Sequence, residues 1–210
     1  MKRVLCFGDS NTWGYIPLSE LERFPEDVRW AGVMAKELGS DYRVIEEAQN
    51  GRTTVFDDPY ETICKNGSKH LPVVLESHKP LDLVVIMLGT NDLKNHFRQT
   101  AHTIAAGAGT LVDRALDSDA GPEHGAPNVL LIAPAEVANA QCPFGHKFDN
   151  THEISKGFAQ AYEEVARTSG VSFLNAAEHV TVPETDCIHF DAEGHANLGR
   201  AAADAVRKIL

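Results

Sequence analysis

The sequence predicts an α/β fold: a three-layer α/β/α sandwich in which helices cover both faces of a five-stranded parallel sheet. Three observations carry this prediction. Short apolar runs alternate with amphipathic stretches along the whole chain, as in repeated strand–helix units. Residues 83–88 are apolar at every position, as a strand covered on both faces must be. Crossovers between parallel strands are almost always right-handed, which favours helices on both faces of the sheet.

The elements follow one another regularly along the chain. Strands are predicted at residues 3–7, 42–45, 83–88, 129–133 and 171–174. Between and after them, apolar residues recur at helical spacing in three stretches: Ala31, Met34, Ala35 and Leu38; Ile154, Phe158, Tyr162 and Val165, ahead of Gly170; and Leu198, Ala201, Ala202, Ala205, Val206 and Ile209. The chain has no repeats, low-complexity tracts or long linkers, so residues 1–210 are predicted to form one domain.

The composition argues against several classes of function. The chain has 210 residues, of which 43% are hydrophobic, enough for a full core. Its net charge of -11 disfavours binding to nucleic acids and to anionic membranes. No stretch approaches the ~20 apolar residues that span a bilayer, and the N-terminal apolar run is too short for a signal peptide. We therefore expect a cytoplasmic protein whose 4 cysteines are reduced thiols.

Metal and cofactor motifs are missing from the sequence. The best metal candidate, His146 with Asp149 and His152, matches no zinc motif, and the cysteines form no C-x-x-C pair. No G-x-G-x-x-G follows the first strand, and there is no Walker A sequence and no G-x-S-x-G elbow. We expect no metal and no cofactor, and a small molecule rather than a macromolecule as the partner.

Four polar segments follow predicted strands, the last of them after a short loop. They are Gly8-Asp9-Ser10-Asn11, Asn50-Gly51-Arg52-Thr53, Gly89-Thr90-Asn91-Asp92 and Asp186-Cys187-Ile188-His189. Each segment alone has a structural explanation, such as a helix cap or a turn. Parallel sheets, however, bind ligands beyond the carboxyl ends of their strands, so these segments should meet at one edge of the sheet. The prediction that all four segments meet at this edge favours a functional site there.

Ser10, His189 and Asp186 have the chemistry of a nucleophile, a base and an orienting acid. A serine hydroxyl is a poor nucleophile near neutral pH and needs an adjacent base, normally histidine. The histidine in turn needs an acceptor on its other ring nitrogen. Asp186 lies three residues before His189, and a tight turn can bring its carboxylate beneath the ring. Asp191 is the alternative partner.

Further residues complete the predicted site. A tetrahedral oxyanion needs preorganised donors, which the N–H groups of Ser10 and Gly51 and the side chain of Asn91 can supply. Two residues are candidates for substrate contact. Trp13, three residues after Ser10, lines the acyl pocket or belongs to the core, and Ile188 adjoins the histidine.

Other polar residues near these segments are expected to be structural. Asp9 is expected to cap a helix or anchor the backbone, and Asp92 to cap the helix that follows it. Arg52 is expected to form a salt bridge near the site. Cys187 is expected to be a packed, neutral thiol, and His195 to be structural at the start of the last helix.

The four segments resemble, in order and spacing, the four sequence blocks of the SGNH (GDSL-like) esterase/lipase family. The resemblance covers nearly the whole chain. It implies a flavodoxin-like sandwich and ester hydrolysis through an acyl-enzyme. It also implies Ser10 as nucleophile, His189 as base and Asp186 as its orienter, with Gly51 and Asn91 as oxyanion donors beside the Ser10 amide.

A narrower resemblance is to the bacterial arylesterase/acyltransferase subgroup. It is carried by residues 8–14, Arg29-Trp30, Glu46-Glu47, Arg52-Thr53-Thr54, Asp57-Asp58 and residues 81–92. It implies a serine esterase for short acyl chains on aryl or simple alkyl alcohols. The subgroup includes enzymes that transfer small acyl groups to other acceptors, and some of its members form closed homo-oligomers. The chain departs from the pattern in two places. Asn11 stands where the family name has leucine, and residues 135–148 lack the proline-rich loop of the subgroup.

Two other functions stay open at this stage. A carbohydrate acetylesterase would use the same site on a polar alcohol. A non-catalytic ligand-binding module on the same fold is the alternative from a different class. The presence of Ser10, His189 and Asp186 together argues against a decayed site.

Overall fold

A computed structural model describes residues 1–139, 143–148 and 151–210 of the chain. Its strands are β1 (Lys2–Gly8), β2 (Tyr42–Ala48), β3 (Leu83–Met87), β4 (Asn128–Ala133) and β5 (Ser172–Asn175). Its α-helices are α1 (Ser10–Trp13), α2 (Trp30–Leu38), α3 (Gly67–His78), α4 (Ala101–Leu116), α5 (Gly145–Phe148), α6 (Thr151–Ser155), α7 (Phe158–Ser169) and α8 (Ala192–Ile209). Short 3₁₀ helices cover Thr90–Leu93, Pro122–His124 and Ala176–Glu178.

The five strands form one parallel sheet in the order β2-β1-β3-β4-β5. This is the strand order of flavodoxin-like, doubly wound sheets. After β1 the chain adds β2 on one side and then returns to add β3 on the other. The order therefore reverses between β1 and β3, which leaves a crevice beyond their carboxyl ends. The predicted three-layer sandwich is confirmed.

Side chains of the central strands alternate between two hydrophobic layers. Leu5 and Phe7 of β1 pack with α3, α4 and α7, whereas Val4 and Cys6 pack with α2 and α8. All residues of β3 are buried, which explains its uninterrupted apolar sequence. No helix in the described part of the chain is long and apolar enough to cross a membrane.

One predicted helix is divided in the structure. The apolar stripe that begins at Ile154 predicts a single helix, but α6 ends at Ser155 and α7 begins at Phe158, with Gly157 between them. A Cβ atom on Gly157 would lie 2.8 Å from the Cβ of Ala101. The interruption therefore lets this segment pass close to the start of α4.

Candidate active site

A cavity of about 310 Å³ opens at the crevice between the ends of β1 and β3. Each of the four polar segments that follow the strands contributes to it, through Ser10, Asn50 and Gly51, Asn91, and Ile188 and His189. The rest of the described lining consists of Tyr15, Leu21, Glu61, Lys65, Lys94, Phe144, Lys147 and Phe148. The sheet topology thus brings together the segments that the sequence singled out.

Ser10 is positioned by a tight turn between β1 and α1. Asp9 caps α1, as expected, because its Oδ1 accepts a hydrogen bond from the N–H of Asn11 at 3.0 Å. Gly8 permits the close approach of the turn, since a Cβ atom there would lie 2.0 Å from Oγ1 of Thr12. Ser10 is therefore the first residue of a capped helix at the edge of the cavity.

His189 connects Ser10 to Asp186. Its Nδ1 lies 2.7 Å from Oδ2 of Asp186, and its Nε2 lies 2.9 Å from Oγ of Ser10. An ionised carboxylate only accepts hydrogen bonds, so Nδ1 carries the proton and Nε2 accepts from the serine hydroxyl. All three side chains are buried, with Ser10 6% and His189 8% exposed. This is the arrangement that makes a serine hydroxyl nucleophilic.

Asp186 is held rigidly beneath the histidine ring. Its Oδ1 accepts hydrogen bonds from the N–H groups of Ile188 at 3.0 Å and His189 at 2.9 Å. Burial raises the pKa of this carboxyl, but the hydrogen bond and charge of His189 and these two N–H groups outweigh burial and leave the pKa lowered. Asp191, the alternative partner, caps α8 instead by accepting from the N–H of Gly194 at 2.8 Å.

The three residues expected to bind an oxyanion all line the cavity. Gly51 has a φ of 82°, in the left-handed region that favours glycine. The Nδ2 atom of Asn91 lies 3.4 Å from Oδ2 of Asp9, which restricts how the amide can turn. The N–H groups of Ser10 and Gly51 have no hydrogen-bond acceptor within residues 1–139, 143–148 and 151–210. These donors are therefore available to a ligand in the cavity.

Asn11 is a site residue whose contacts the sequence did not reveal. Its Nδ2 donates to the carbonyl of Ile188, and its Oδ1 accepts from the N–H of Phe190, both at 3.1 Å. The Asn11 amide thus contacts the backbone on both sides of His189. It connects the histidine loop to the start of α1, where Ser10 lies. Leucine, which the family name has at this position, could form neither hydrogen bond.

Aromatic side chains form one wall around the histidine. The ring of Tyr15 lies 4.4 Å from that of His189, and the ring of Phe144 lies edge-on at 6.3 Å. Trp13 is the sequence's candidate for lining the acyl pocket, but the structure places it outside the cavity lining, with the guanidinium of Arg23 5.0 Å above its ring. The reason is that α1 ends at Trp13 and the chain turns at the next residue, so that Tyr15 reaches the cavity. Ile188, the other candidate, does line it.

Charged side chains form another part of the lining. The Nζ atom of Lys94 lies 2.8 Å from Asp58 and 3.6 Å from Glu61. The Nζ atom of Lys65 donates to the carbonyl of Asn50 at 2.8 Å and lies 3.8 Å from Glu61. Both lysine side chains are largely buried, so their ammonium groups have fixed positions at the wall. The sequence contained no signal that would have assigned them to the site.

Two buried ionisable residues, Asp92 and Arg52, form contacts other than those expected from the sequence. Asp92 does not cap the helix after it: Thr100 caps α4, and Asp92 accepts hydrogen bonds from the N–H and hydroxyl of Thr54. Burial raises its pKa to about 7. Arg52 hydrogen-bonds carbonyls rather than forming the expected salt bridge, since its Nη1 donates to Gly8 at 2.9 Å and to Glu47 at 2.6 Å. Both residues hold the loops that follow β1, β2 and β3.

His195 has a structural role, and the metal candidate named in the sequence is described only in part. His195 is fully buried, its Nδ1 accepts from the N–H of Trp30 at 3.3 Å, and burial lowers its pKa to about 4. It is therefore neutral and structural, as expected. Of the metal candidate, Asp149 and the side chain of His146 lie outside the described residues. The residues that are described contain no group of three or more metal-binding side chains.

Comparison with known proteins agrees with this geometry. The sequence profile of the GDSL-like Lipase/Acylhydrolase family matches residues 6–196. No curated protein sequence matches the chain. The structure of a lipase/acylhydrolase from Enterococcus faecalis shares the fold at 20% identity and a TM-score of 0.69, covering 99% of this chain and 96% of that one.

Two solved structures are much more similar. The aryl esterase of M. smegmatis is 42% identical with a TM-score of 0.95, and the match covers 100% of both chains. A carbohydrate acetylesterase from Sinorhizobium meliloti is also 42% identical, with a TM-score of 0.94 and the same coverage. The chain therefore belongs to the GDSL-like lipase/acylhydrolase (SGNH) family and is a carboxylic ester hydrolase.

Proposed function

We propose that this protein is a serine esterase that hydrolyses esters of short acyl chains through an acyl-enzyme on Ser10. The observation that carries the proposal is the position of His189, within hydrogen-bond distance of both Ser10 and Asp186. The nucleophile, the base and the orienting acid therefore contact one another in series, and the serine and histidine line the cavity.

The proposed reaction begins when Oγ of Ser10 attacks the ester carbonyl carbon and its proton moves to Nε2 of His189. Asp186 stabilises the imidazolium through Nδ1. The N–H groups of Ser10 and Gly51 and the Nδ2 of Asn91 hold the oxyanion. Protonation of the leaving oxygen by the histidine releases the alcohol. Water, with the same histidine as base, then attacks the acyl-enzyme and restores the serine.

The size and lining of the cavity support short acyl groups on aryl or simple alkyl alcohols. A volume of about 310 Å³ is at the small end of the range for ligand pockets. The aromatic wall that includes Tyr15 and Phe144 lies beside His189, which must protonate the leaving alcohol. Similarity to an aryl esterase agrees with this substrate class. Transfer of the acyl group to an acceptor other than water is proposed as a side activity.

A carbohydrate acetylesterase is the second candidate function. The observation that favours it is the 42% identity to the Sinorhizobium meliloti acetylesterase. The catalytic steps are the same, and only the alcohol differs. Comparing kcat/KM for phenyl acetate with that for an acetylated xylo-oligosaccharide distinguishes the two candidates.

The test is hydrolysis of p-nitrophenyl esters from acetate to octanoate by the wild type and three variants. We expect kcat/KM to fall as the acyl chain lengthens and to reach background in Ser10→Ala. Asp186→Asn should lower kcat by roughly 10³–10⁴, because the amide favours the wrong histidine tautomer. Asp191→Asn is the matched control and should retain activity. Turnover that survives Ser10→Ala, or equal losses in the two aspartate variants, would contradict the proposal.

A further inference from the structure

The cavity at Ser10 adjoins a second cleft. Glu61, Lys94 and Lys147 belong to the lining of both. Beyond them the second cleft is lined by Asp58, Tyr60, Asn95, His96 and Arg98. Groups on an ester that point from Ser10 towards Lys94 and Lys147 would therefore face this second cleft.

The cavity and the adjoining cleft, together called the groove, have more positive than negative groups among their described lining residues. Among the described residues the groove is lined by four permanent cations, Lys65, Lys94, Arg98 and Lys147, and by two carboxylates, Asp58 and Glu61. The chain as a whole has a net charge of -11. A local positive surplus against this background lies along the path that leads to the reacting serine. A cleft lined with one sign of charge concentrates ligands of the opposite sign.

The cations occupy two kinds of position in the groove. Lys94 is 7% exposed at its side chain and is fixed by Asp58, so its charge is partly neutralised. Lys147 and Arg98 are exposed at the rim. Rim cations keep their full charge and can meet an anion without first breaking a buried ion pair. Glu61, between the two buried lysines, is the group that opposes an incoming anion.

We propose that this groove selects esters that carry a negatively charged group, such as a carboxylate, at a distance from the reacting bond. The inference rests on the proposed function, since it assigns a substrate class to the same site. The aromatic wall beside His189 accommodates the apolar part of the ester, and the lysine and arginine side chains bind its anionic end. The anion can belong to the alcohol or to the acyl group, and the experiment distinguishes these two sources.

The experiment compares charged and neutral esters of nearly equal size. For the alcohol side, 4-acetoxybenzoate is compared with its methyl ester. For the acyl side, monomethyl glutarate is compared with dimethyl glutarate. The quantity measured is the ratio of kcat/KM for the anionic ester to that for its neutral partner, at low and at high salt. We expect a ratio above one for at least one pair, and a decrease towards one as salt screens the groove.

Charge-reversal variants identify the residues responsible. Arg98→Glu and Lys147→Glu should each lower the ratio by on the order of tenfold, the effect of reversing a unit charge about 6 Å from an anion in water. Glu61→Gln should raise the ratio. Lys208→Glu on α8 makes the same change of net charge away from the groove and should leave the ratio unchanged.

Each outcome decides a separate question. If Arg98→Glu and Lys147→Glu do no more than Lys208→Glu, or if the wild type prefers the neutral ester of both pairs, the proposal is overturned. Ser10-dependent hydrolysis of the neutral esters would still support the proposed function in that case. Failure to hydrolyse any of the esters would instead overturn the proposed function together with the inference that rests on it.

Discussion

The distance between Ser10 and His189 depends on an amide that takes no part in the proposed chemistry. Asn11 donates to the carbonyl before His189 and accepts from the N–H after it, while its own backbone belongs to the first turn of α1. Because Asn11 is adjacent to Ser10, the two hydrogen bonds fix the imidazole relative to the hydroxyl. Catalysis is sensitive to displacements of about 1 Å at this scale.

Asn11→Leu is expected to lower kcat by roughly tenfold to a hundredfold while KM changes little. The leucine leaves the carbonyl of Ile188 and the N–H of Phe190 without their partner, and the histidine loop can then shift. The measurement is steady-state kinetics on p-nitrophenyl acetate together with thermal unfolding. Asn11→Asp, which keeps the oxygen that accepts from Phe190, should lie between the wild type and Asn11→Leu. A kcat of Asn11→Leu within twofold of the wild type would show that the amide does not position the histidine.

At the residue scale, the sequence predicts the reacting groups but not the residues that position and surround them. Ser10, His189 and Asp186 could be selected because they follow strands and have complementary chemistry. Tyr15, Lys65 and Lys94 could not, because their places in the cavity depend on the course of loops that no periodicity describes. Trp13 shows the limit most clearly, since only Gly14 separates it from Tyr15, the aromatic residue that faces His189.

At the scale of elements, buried side chains connect the loops that follow different strands. Asp92, in the 3₁₀ helix after β3, accepts from the N–H and hydroxyl of Thr54 in the loop after β2. The hydroxyl of Tyr162 on α7 donates to the carbonyl of Leu88 at 2.6 Å, at the end of β3. These contacts hold Asn91 beside the cavity. The sequence predicted a cap at Asp92 because an acid before a helix commonly serves that role, but Thr100 already caps α4.

Asp92→Asn is expected to reduce the dependence of stability on pH between about 4 and 7. Burial raises the folded-state pKa of Asp92 to about 7 from its ordinary value of 3.8, so the folded state binds this proton more tightly than the unfolded state. Its contribution to stability is therefore full below pH 4 and is lost as the pH rises through 7, by at most about 1.4 kcal/mol per pH unit. Asparagine has no such proton to lose.

The measurement for Asp92 is the free energy of unfolding in urea at several pH values from 4.5 to 7.5. Burial also raises the pKa of Asp9, to about 6. Asp9 therefore also lowers the free energy of unfolding as the pH rises, but its effect is complete at a lower pH than that of Asp92. Below pH 6 the variant should therefore keep only the slope that Asp9 contributes, and between pH 6 and 7 it should lose the slope that Asp92 contributes. Identical slopes in the wild type and Asp92→Asn across the whole range would contradict the assignment.

At the scale of the whole molecule, the site depends on close packing of both helical layers against the sheet. In one layer α2 and α8 approach closely at Gly199, where a Cβ atom would lie 2.6 Å from Cβ of Val33 and 2.7 Å from the carbonyl oxygen of Trp30. The same layer carries Phe190 and the start of α8, which follow directly after His189. The fold class could be predicted from the sequence because the periodicity of apolar residues indicates which segments are strands or helices and which of their faces are buried. Such backbone contacts could not, because they depend on the distance between two elements.

Gly199→Ala is expected to destabilise the protein by about 1–3 kcal/mol, although alanine is the better helix former by about 1 kcal/mol. The methyl group meets backbone on the neighbouring helix, which cannot move aside as a side chain can. Gly109→Ala on α4 is the control, because the Cβ there would meet only the Val165 side chain, at 3.1 Å. The measurement is urea unfolding of both variants. Equal stability of the two would argue against a close α2–α8 contact.

The most direct test of the proposed mechanism is to trap the nucleophile. The wild-type protein is incubated with diethyl p-nitrophenyl phosphate, digested, and its peptides are analysed by mass spectrometry, with Asp186→Asn treated in parallel. We expect one diethylphosphoryl group per chain, on Ser10, with loss of esterase activity in proportion to labelling and much slower labelling of the variant. Modification of a different residue, or full labelling of Ser10 with activity retained, would contradict the proposed mechanism.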